Sequence, residues 1–148
     1  SVKLYYFIFM AIESAAWGTI LYYFMYNLES LMLTVNLKNN ILDNIYLSIG
    51  AGIWEELIFR LVGINVLVKL LVLYEYSLIF SYIFSIIVTS IIFSLAHYVG
   101  NFGELFSLIT FSYRLLAGMM LGIIYSIRGY GISVYTHIFY NTAIVTQI

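Results

Sequence analysis

Ionisable and amide side chains form three short clusters in an otherwise strongly apolar chain. They are Glu55, Glu56 and Arg60 in the first cluster, His97 in the second, and His137 with Asn141 in the third. Carboxylates and imidazoles commonly act as general acids and bases, and an amide beside an imidazole can donate hydrogen bonds to a developing oxyanion. The three clusters are therefore candidates for activating water against a carbonyl group.

Helical geometry separates the two adjacent carboxylates. At about 100° per residue, Glu56 and Arg60 share one face of a helix and are expected to form an ion pair, whereas Glu55 points about 100° away. A carboxylate in a dehydrated cavity is a better proton acceptor when it is ionised. We assign Glu55 as the candidate general base, with Glu56 and Arg60 as its support. The alternative is a buried ion-pair triad that only locks the helices together.

The two histidines have different neighbours. His137 and Asn141 are four residues apart, so their side chains project together and could form an oxyanion hole; a satisfied hydrogen bond between helices is the alternative. His97 follows Phe93 by one turn and could be only an interfacial residue. Ser94 invites a Ser–His interpretation, but a serine in an apolar helix usually bonds to its own backbone, and no G-x-S-x-G sequence is present.

Composition determines where these clusters must lie. The chain has 148 residues, of which 64% are hydrophobic and only 9% are charged, with a net charge of −1. Soluble domains carry about 25% charged residues, so this chain could not cover a surface that faces water. Near-zero net charge argues against nucleic-acid binding, and the lack of cysteine excludes disulfides and thiolate chemistry. The sequence predicts an integral membrane protein in contact with lipid, and we expect a bacterial plasma membrane.

Apolar runs long enough to cross a bilayer predict an all-α bundle of about five transmembrane helices. The predicted spans are residues 4–26, 45–73, 77–98, 111–127 and 132–148. A polar connector is expected at residues 27–44, a loop at residues 100–104 and a short turn at residues 128–131. The runs are too continuously apolar for the alternation of an outer-membrane barrel. We expect one domain over residues 1–148, within a longer protein, with its motif-bearing core at about residues 45–148.

Two further features concern packing and orientation. Gly118 and Gly122 are four residues apart in the fourth span, and small residues at this spacing let another helix approach closely. Basic residues near the span ends favour a cytoplasmic N-terminus, because Lys3, Lys69 and Arg128 fall on one side and Lys38 on the other, while Arg114 is assigned to neither side.

The three clusters, in order and each in an apolar span, resemble the motifs of the CPBP family of intramembrane proteases, also called the ABI family. This is the family of the type II CAAX prenyl endopeptidase. The matching patterns are E-E-x-x-x-R from Glu55, F-x-x-x-H ending at His97, and H-x-x-x-N from His137. The segment from Arg114 to Tyr125 is similar to the glycine-bearing helix before the family's last motif.

The resemblance implies a glutamic intramembrane endopeptidase. By this resemblance, Glu55 and His97 would hold and activate the attacking water. His137 and Asn141 would form the oxyanion hole, and Glu56 and Arg60 would orient the Glu55 carboxylate. The expected partner is a protein or peptide substrate near the membrane, with or without a lipid modification, and no cofactor is required. Family members typically have more spans than five. The motifs alone do not imply that this protein cleaves prenylated CAAX proteins.

Three alternatives keep the same residues. Glu55, His97 and His137 could bind Zn²⁺ as two imidazoles and a carboxylate, although no H-E-x-x-H sequence is present. The protein could instead be a non-catalytic membrane scaffold or bacteriocin-immunity partner that uses the polar cluster for packing. A proton or ion transporter is disfavoured, because neither inverted repeats nor proline-broken helices are found.

Overall fold

The structure is a computed structural model that describes residues 4–28, 41–100 and 103–146. It contains five helical rods, and 89% of the described residues are helical with no strand among them, so the predicted helical bundle is confirmed. The elements are α1 (Leu4–Leu28), α2 (Ile41–Glu55), a π-helical segment (Glu56–Ile64), α3 (Asn65–Leu73), α4 (Leu78–Ala96), α5 (Leu108–Arg128) and α6 (Tyr130–Thr146). α2, the π-helical segment and α3 form one continuous rod.

Three of these helices are long and apolar enough to cross a membrane. They span Leu4–Asn27, Leu78–Ala96 and Leu108–Arg128. Their exposed surfaces carry large apolar side chains, for example Ile83, Ile87 and Ile91 on α4. Such a surface would aggregate in water and is suited to lipid. The protein is therefore an integral membrane protein.

The buried face of α4 is polar and small, although α4 is the most apolar span in the sequence. Ser81, Ser85 and Thr89 recur every four residues on this face and are fully or almost fully buried. The Thr89 hydroxyl donates to the Ser85 carbonyl over 2.8 Å, so part of this face satisfies itself along the helix. Thr89 on this face lies against the π-helical segment, because a Cβ atom at Gly63 would lie 3.0 Å from Cγ2 of Thr89. Small residues at such a contact let two helices approach closely.

The predicted role of Gly118 and Gly122 in packing is confirmed. A Cβ atom at Gly118 would lie 3.1 Å from Cδ1 of Phe93, and one at Gly122 would lie 3.0 Å from Cγ2 of Ile86. Both neighbours belong to α4, so the two glycines bring α5 against the helix that ends at His97. α6 packs against α1, α2 and α5.

Several predicted boundaries differ from the structure. The second rod begins at residue 41 rather than 45, and α5 begins at residue 108 rather than 111. The four-residue turn expected at residues 128–131 contracts to Gly129, whose φ of 86° ends α5 before α6 begins at Tyr130. Glycine adopts this left-handed conformation without the steric cost that other residues incur. The predictions for Lys3 and Lys38 lie outside the described residues.

The first motif lies in a helix of unexpected type. The sequence predicted α-helical geometry through Glu56 and Arg60, but the segment Glu56–Ile64 is a π-helix. A π-helix bonds residue i to i+5, which widens each turn, and such segments occur often at functional sites. Glu56, Arg60 and Ile64 still face inwards together and are buried.

Candidate active site

The three clusters converge on one cavity inside the bundle. Its volume is about 230 Å³. Glu55 at the end of α2, His97 at the end of α4, and His137 with Asn141 on α6 all line it. Residues separated by more than 80 positions in the sequence therefore share one space of a few water molecules.

Glu55 lies between the two imidazoles. Its Oε1 is 3.9 Å from Nε2 of His97, and its Oε2 is 3.7 Å from Nε2 of His137. The Glu55 side chain is 25% exposed and that of His97 is 28% exposed, whereas His137 is 5% exposed. Both separations exceed a hydrogen bond, so the carboxylate faces the imidazoles across a gap.

Both imidazoles are oriented by acceptors at Nδ1. Nδ1 of His97 lies 2.9 Å from the carbonyl oxygen of Phe93, one turn earlier on α4. Nδ1 of His137 lies 3.0 Å from Oε1 of Glu56. A carbonyl or carboxylate oxygen accepts only, so Nδ1 donates in both contacts and carries the proton. The Nε2 atoms of both rings therefore face Glu55.

Glu56 is the centre of a buried charge network behind the cavity. Its side chain is fully buried, and it accepts hydrogen bonds from Ser133 and His137. Nη1 of Arg60 lies 3.4 Å from Oε1 of Glu56, which agrees with the expected ion pair.

Arg60 is also held from the other side. Its Nη2 donates to the carbonyl oxygen of Gly118 over 3.2 Å, and its guanidinium carbon lies 4.6 Å from the centre of the Phe93 ring. The Phe93 ring contacts both catalytic candidates, at 5.0 Å from the His97 ring and 6.1 Å from the His137 ring. Phe93 therefore lies beside the cation and both imidazoles.

The structure brings all six predicted residues into one region, in two groups. Glu55, His97, His137 and Asn141 line the cavity, whereas Glu56 and Arg60 lie behind it. The resemblance implied that Glu56 and Arg60 orient Glu55. The contacts of Glu56 run to Arg60, Ser133 and His137, so Glu56 reaches the cavity through His137.

The expectation for Ser94 is wrong. Its hydroxyl donates to the carbonyl of Phe111 on α5 over 2.8 Å, rather than to its own helix. Ser94 therefore joins the two helices.

Sequence reasoning missed two residues. Ser133 contacts Glu56 and the carbonyl of Leu121, and its signal was its position one turn before His137. Arg114 lines the cavity, and its signal was a charge inside an apolar span.

The motif order, the burial of the charges and the convergence of the clusters agree with one comparison. Over residues 37–143 the sequence matches the family described as type II CAAX prenyl endopeptidase Rce1-like. The chain belongs to this family. None of the curated proteins or solved structures matches it. Family membership implies a membrane protease that acts on a protein or peptide substrate.

The donor set also bears on a metal. No three His, Asp or Glu side chains among residues 4–28, 41–100 and 103–146 are grouped in a geometry that would hold a metal ion. Zinc ligands about 2.0–2.2 Å from a tetrahedral metal lie about 3.3–3.6 Å from one another. The separations of 3.7 and 3.9 Å at Glu55 would have to contract to reach that range.

Proposed function

We propose that this protein hydrolyses peptide bonds of membrane-proximal substrates with a water molecule activated by Glu55 and His97. The observation that carries the proposal is the position of the Glu55 carboxylate, between two imidazole Nε2 atoms in a cavity that Asn141 also lines. The proposed membrane is a bacterial plasma membrane.

The gap between Glu55 and His97 suits a bridging water. A water that donates two hydrogen bonds of about 2.8 Å to two acceptors separates them by roughly 4–4.5 Å. The observed separation of 3.9 Å is close to this range. Nε2 of His97 has a free lone pair because its proton is on Nδ1, so both groups can accept from the water.

The reaction then needs one proton acceptor and one oxyanion site. Glu55 takes a proton from the water as the water oxygen bonds to the scissile carbonyl carbon, and the carbonyl oxygen becomes an oxyanion. When the C–N bond breaks, the protonated Glu55 returns the proton to the leaving amine. No covalent intermediate with the protein forms.

His137 and Asn141 are the proposed oxyanion donors. The Asn141 amide donates directly. His137 must carry a second proton on Nε2 to donate, because its Nδ1 proton already goes to Glu56. Glu55 and Glu56 together place two carboxylates around His137 and Arg60, so an imidazolium at His137 has a counter-charge although Glu56 is paired with Arg60. The contact at Nδ1 supports the assignment of Glu56 as a positioning residue for His137.

The test is cleavage of a transmembrane-peptide library by the purified protein in detergent or proteoliposomes. Glu55→Gln should abolish cleavage, because the amide cannot accept the water's proton. The matched control is Glu75→Gln, which changes an exposed carboxylate in the segment between α3 and α4. Cleavage that survives Glu55→Gln, with Glu75→Gln also active, would refute the glutamate mechanism.

A chelator arm separates the glutamic mechanism from the zinc alternative. Both imidazole Nδ1 atoms are held by acceptors, an arrangement that also occurs behind zinc-bound histidines. Activity unchanged by chelator supports the glutamic mechanism. Activity lost in chelator and restored by zinc would make Glu55, His97 and His137 metal ligands. A scaffold or immunity partner would retain its partner-dependent function in Glu55→Gln.

A further inference from the structure

Arg114 lines the cavity, and the reaction proposed above does not use it. It lies in the second turn of α5, and its side chain is 19% exposed. Its Nη2 forms a hydrogen-bonded ion pair of 2.7 Å with Oε2 of Glu104. Its Nη1 is buried and has no hydrogen-bond partner within the described ranges. A buried charged donor without an acceptor is unfavourable, so the Arg114 guanidinium has the capacity for a further acceptor, and Arg114 is one of the side chains that line the cavity.

The guanidinium is held in place for such an acceptor. Its central carbon lies 5.4 Å from the centre of the Tyr98 ring, and the Tyr98 hydroxyl is 2.7 Å from Oγ1 of Thr110. A fixed aromatic ring on one side limits the rotation of the Arg114 side chain. A planar guanidinium held in this way is pre-organised for a carboxylate, which it can bind through two parallel hydrogen bonds.

Glu104 is an exchangeable partner for Arg114. Its side chain is 57% exposed, and ion pairs in such positions contribute little because water competes for both charges. The backbone N–H of Glu104 donates to the carbonyl of His97 over 3.1 Å. The segment that carries Glu104 is therefore attached to the backbone of His97, whether or not its side chain stays on Arg114.

We propose that Arg114 binds a carboxylate of the peptide substrate inside the catalytic cavity and that Glu104 is the counter-ion this carboxylate displaces. The inference rests on the proposed function in one respect, the presence of a peptide beside Glu55. The carboxylate is either the C-terminus of the substrate or an Asp or Glu side chain near the scissile bond. The competing role for Arg114 is structural: its ion pair with Glu104 would clamp the segment after His97.

Binding measured without turnover tests the proposal. Four acetylated tetrapeptides are titrated calorimetrically into the Glu55→Gln protein in detergent: Leu-Ile-Phe-Leu as the free acid and as the amide, and the amides of Leu-Glu-Phe-Leu and Leu-Gln-Phe-Leu. A charge-assisted bidentate contact should make at least one carboxylate peptide bind about tenfold or more tightly than its neutral partner. The first pair detects a C-terminal carboxylate and the second detects a side-chain carboxylate.

Two variants in the Glu55→Gln background separate binding from clamping. Arg114→Gln should remove the preference for the carboxylate peptide and leave the affinity for neutral peptides unchanged. Glu104→Gln should strengthen binding of the carboxylate peptide, because the resident counter-ion no longer competes. A clamp predicts the opposite pattern, with both variants weakening all four peptides alike. Arg114→Lys, which keeps the charge and loses the bidentate geometry, should retain part of the preference and serves if Arg114→Gln does not fold.

Equal binding of the acid and amide together with equal binding of the Glu and Gln peptides would overturn the proposal. So would a carboxylate preference that survives in Arg114→Gln. Mass spectrometry of each peptide after its titration shows whether it is intact, and binding is compared only for intact peptides, so these outcomes do not depend on which residue activates the water. Failure of Glu55→Gln to abolish cleavage refutes the proposed mechanism but not carboxylate binding by Arg114. Equal binding of the acid and neutral peptides refutes carboxylate binding by Arg114 but not the mechanism.

Discussion

Glu55 and Glu56 are adjacent in the sequence, yet replacing each by glutamine should have different effects. Glu56→Gln should destabilise the fold, whereas Glu55→Gln should abolish activity and leave the fold nearly as stable. Glu56 is fully buried and is the counter-charge of Arg60, whose side chain is 1% exposed. Replacing it by glutamine leaves the Arg60 cation buried without an anion. Removing one partner of a buried ion pair costs about 3–5 kcal/mol. Glu55 is a quarter exposed and makes no hydrogen bond to either imidazole, so Glu55→Gln should cost less than about 1 kcal/mol.

Thermal unfolding in one detergent, followed by intrinsic fluorescence, measures this contrast. For a chain of this length, 1 kcal/mol corresponds to about 2–4 °C in Tm, so Glu56→Gln should lower Tm by roughly 6–20 °C and Glu55→Gln by less than about 4 °C. In peptide hydrolysis by the same preparations, Glu55→Gln should be folded and inactive.

A double variant tests whether the lost counter-charge is the cause. Replacing a whole buried ion pair with apolar residues is often neutral, so Glu56→Gln combined with Arg60→Met should recover much of the stability that Glu56→Gln loses. Equal losses of Tm at Glu55 and Glu56, or no loss at Glu56, would refute the division into a catalytic and a structural carboxylate. The same conclusion would follow if the double variant were less stable than Glu56→Gln alone.

The other predictions concern the residues around this network. Asn141→Ala should lower kcat about 10²–10³-fold with little change in Tm, since one oxyanion donor is lost; an unchanged kcat would exclude that role. Ser133→Ala removes a hydrogen bond to the Glu56 carboxylate and should lower Tm by about 3–12 °C, from roughly 1.5–3 kcal/mol; no shift would mean that Glu56 does not depend on it. Gly118→Val should destabilise by about 1–3 kcal/mol through overlap with Phe93, and a folded, fully active variant would contradict the close approach.

The sequence was sufficient for the number of helices and for selecting six candidate residues that the structure brings into one region, because both selections used local rules. Apolar runs of span length set the helices, and i,i+4 spacing paired Glu56 with Arg60 and His137 with Asn141. The π-helical turns could not be predicted in this way, since the sequence around Arg60 contains no proline or other local signal for a wider turn. The end of α5 and the start of α6 depend on the φ angle of Gly129, and the sequence does not indicate the value of that angle.

Contacts between segments that are distant in the sequence also could not be predicted. Nothing in the spacing of Glu56 indicated that its carboxylate would contact Ser133 and His137, which lie 77 and 81 residues further along the chain. Ser94 shows the same limit. Local rules predict that its hydroxyl bonds to the backbone of α4, but it donates to the carbonyl of Phe111 on α5. Such partners follow from how the helices dock, which the sequence does not state.

Gly118 connects the packing of the bundle to the charge network. The sequence assigned it to helix packing, and its missing side chain does let α5 approach Phe93 on α4. The same approach brings its carbonyl to 3.2 Å from Nη2 of Arg60 and holds the Phe93 ring beside the guanidinium. A cation in this position is tolerated within an apolar bundle only with an anion, a carbonyl and an aromatic face around it. The close contact of α5 with α4 at Gly118 therefore contributes both to helix packing and to the burial of Arg60. Arg60 in turn balances the charge of Glu56, the carboxylate that orients His137.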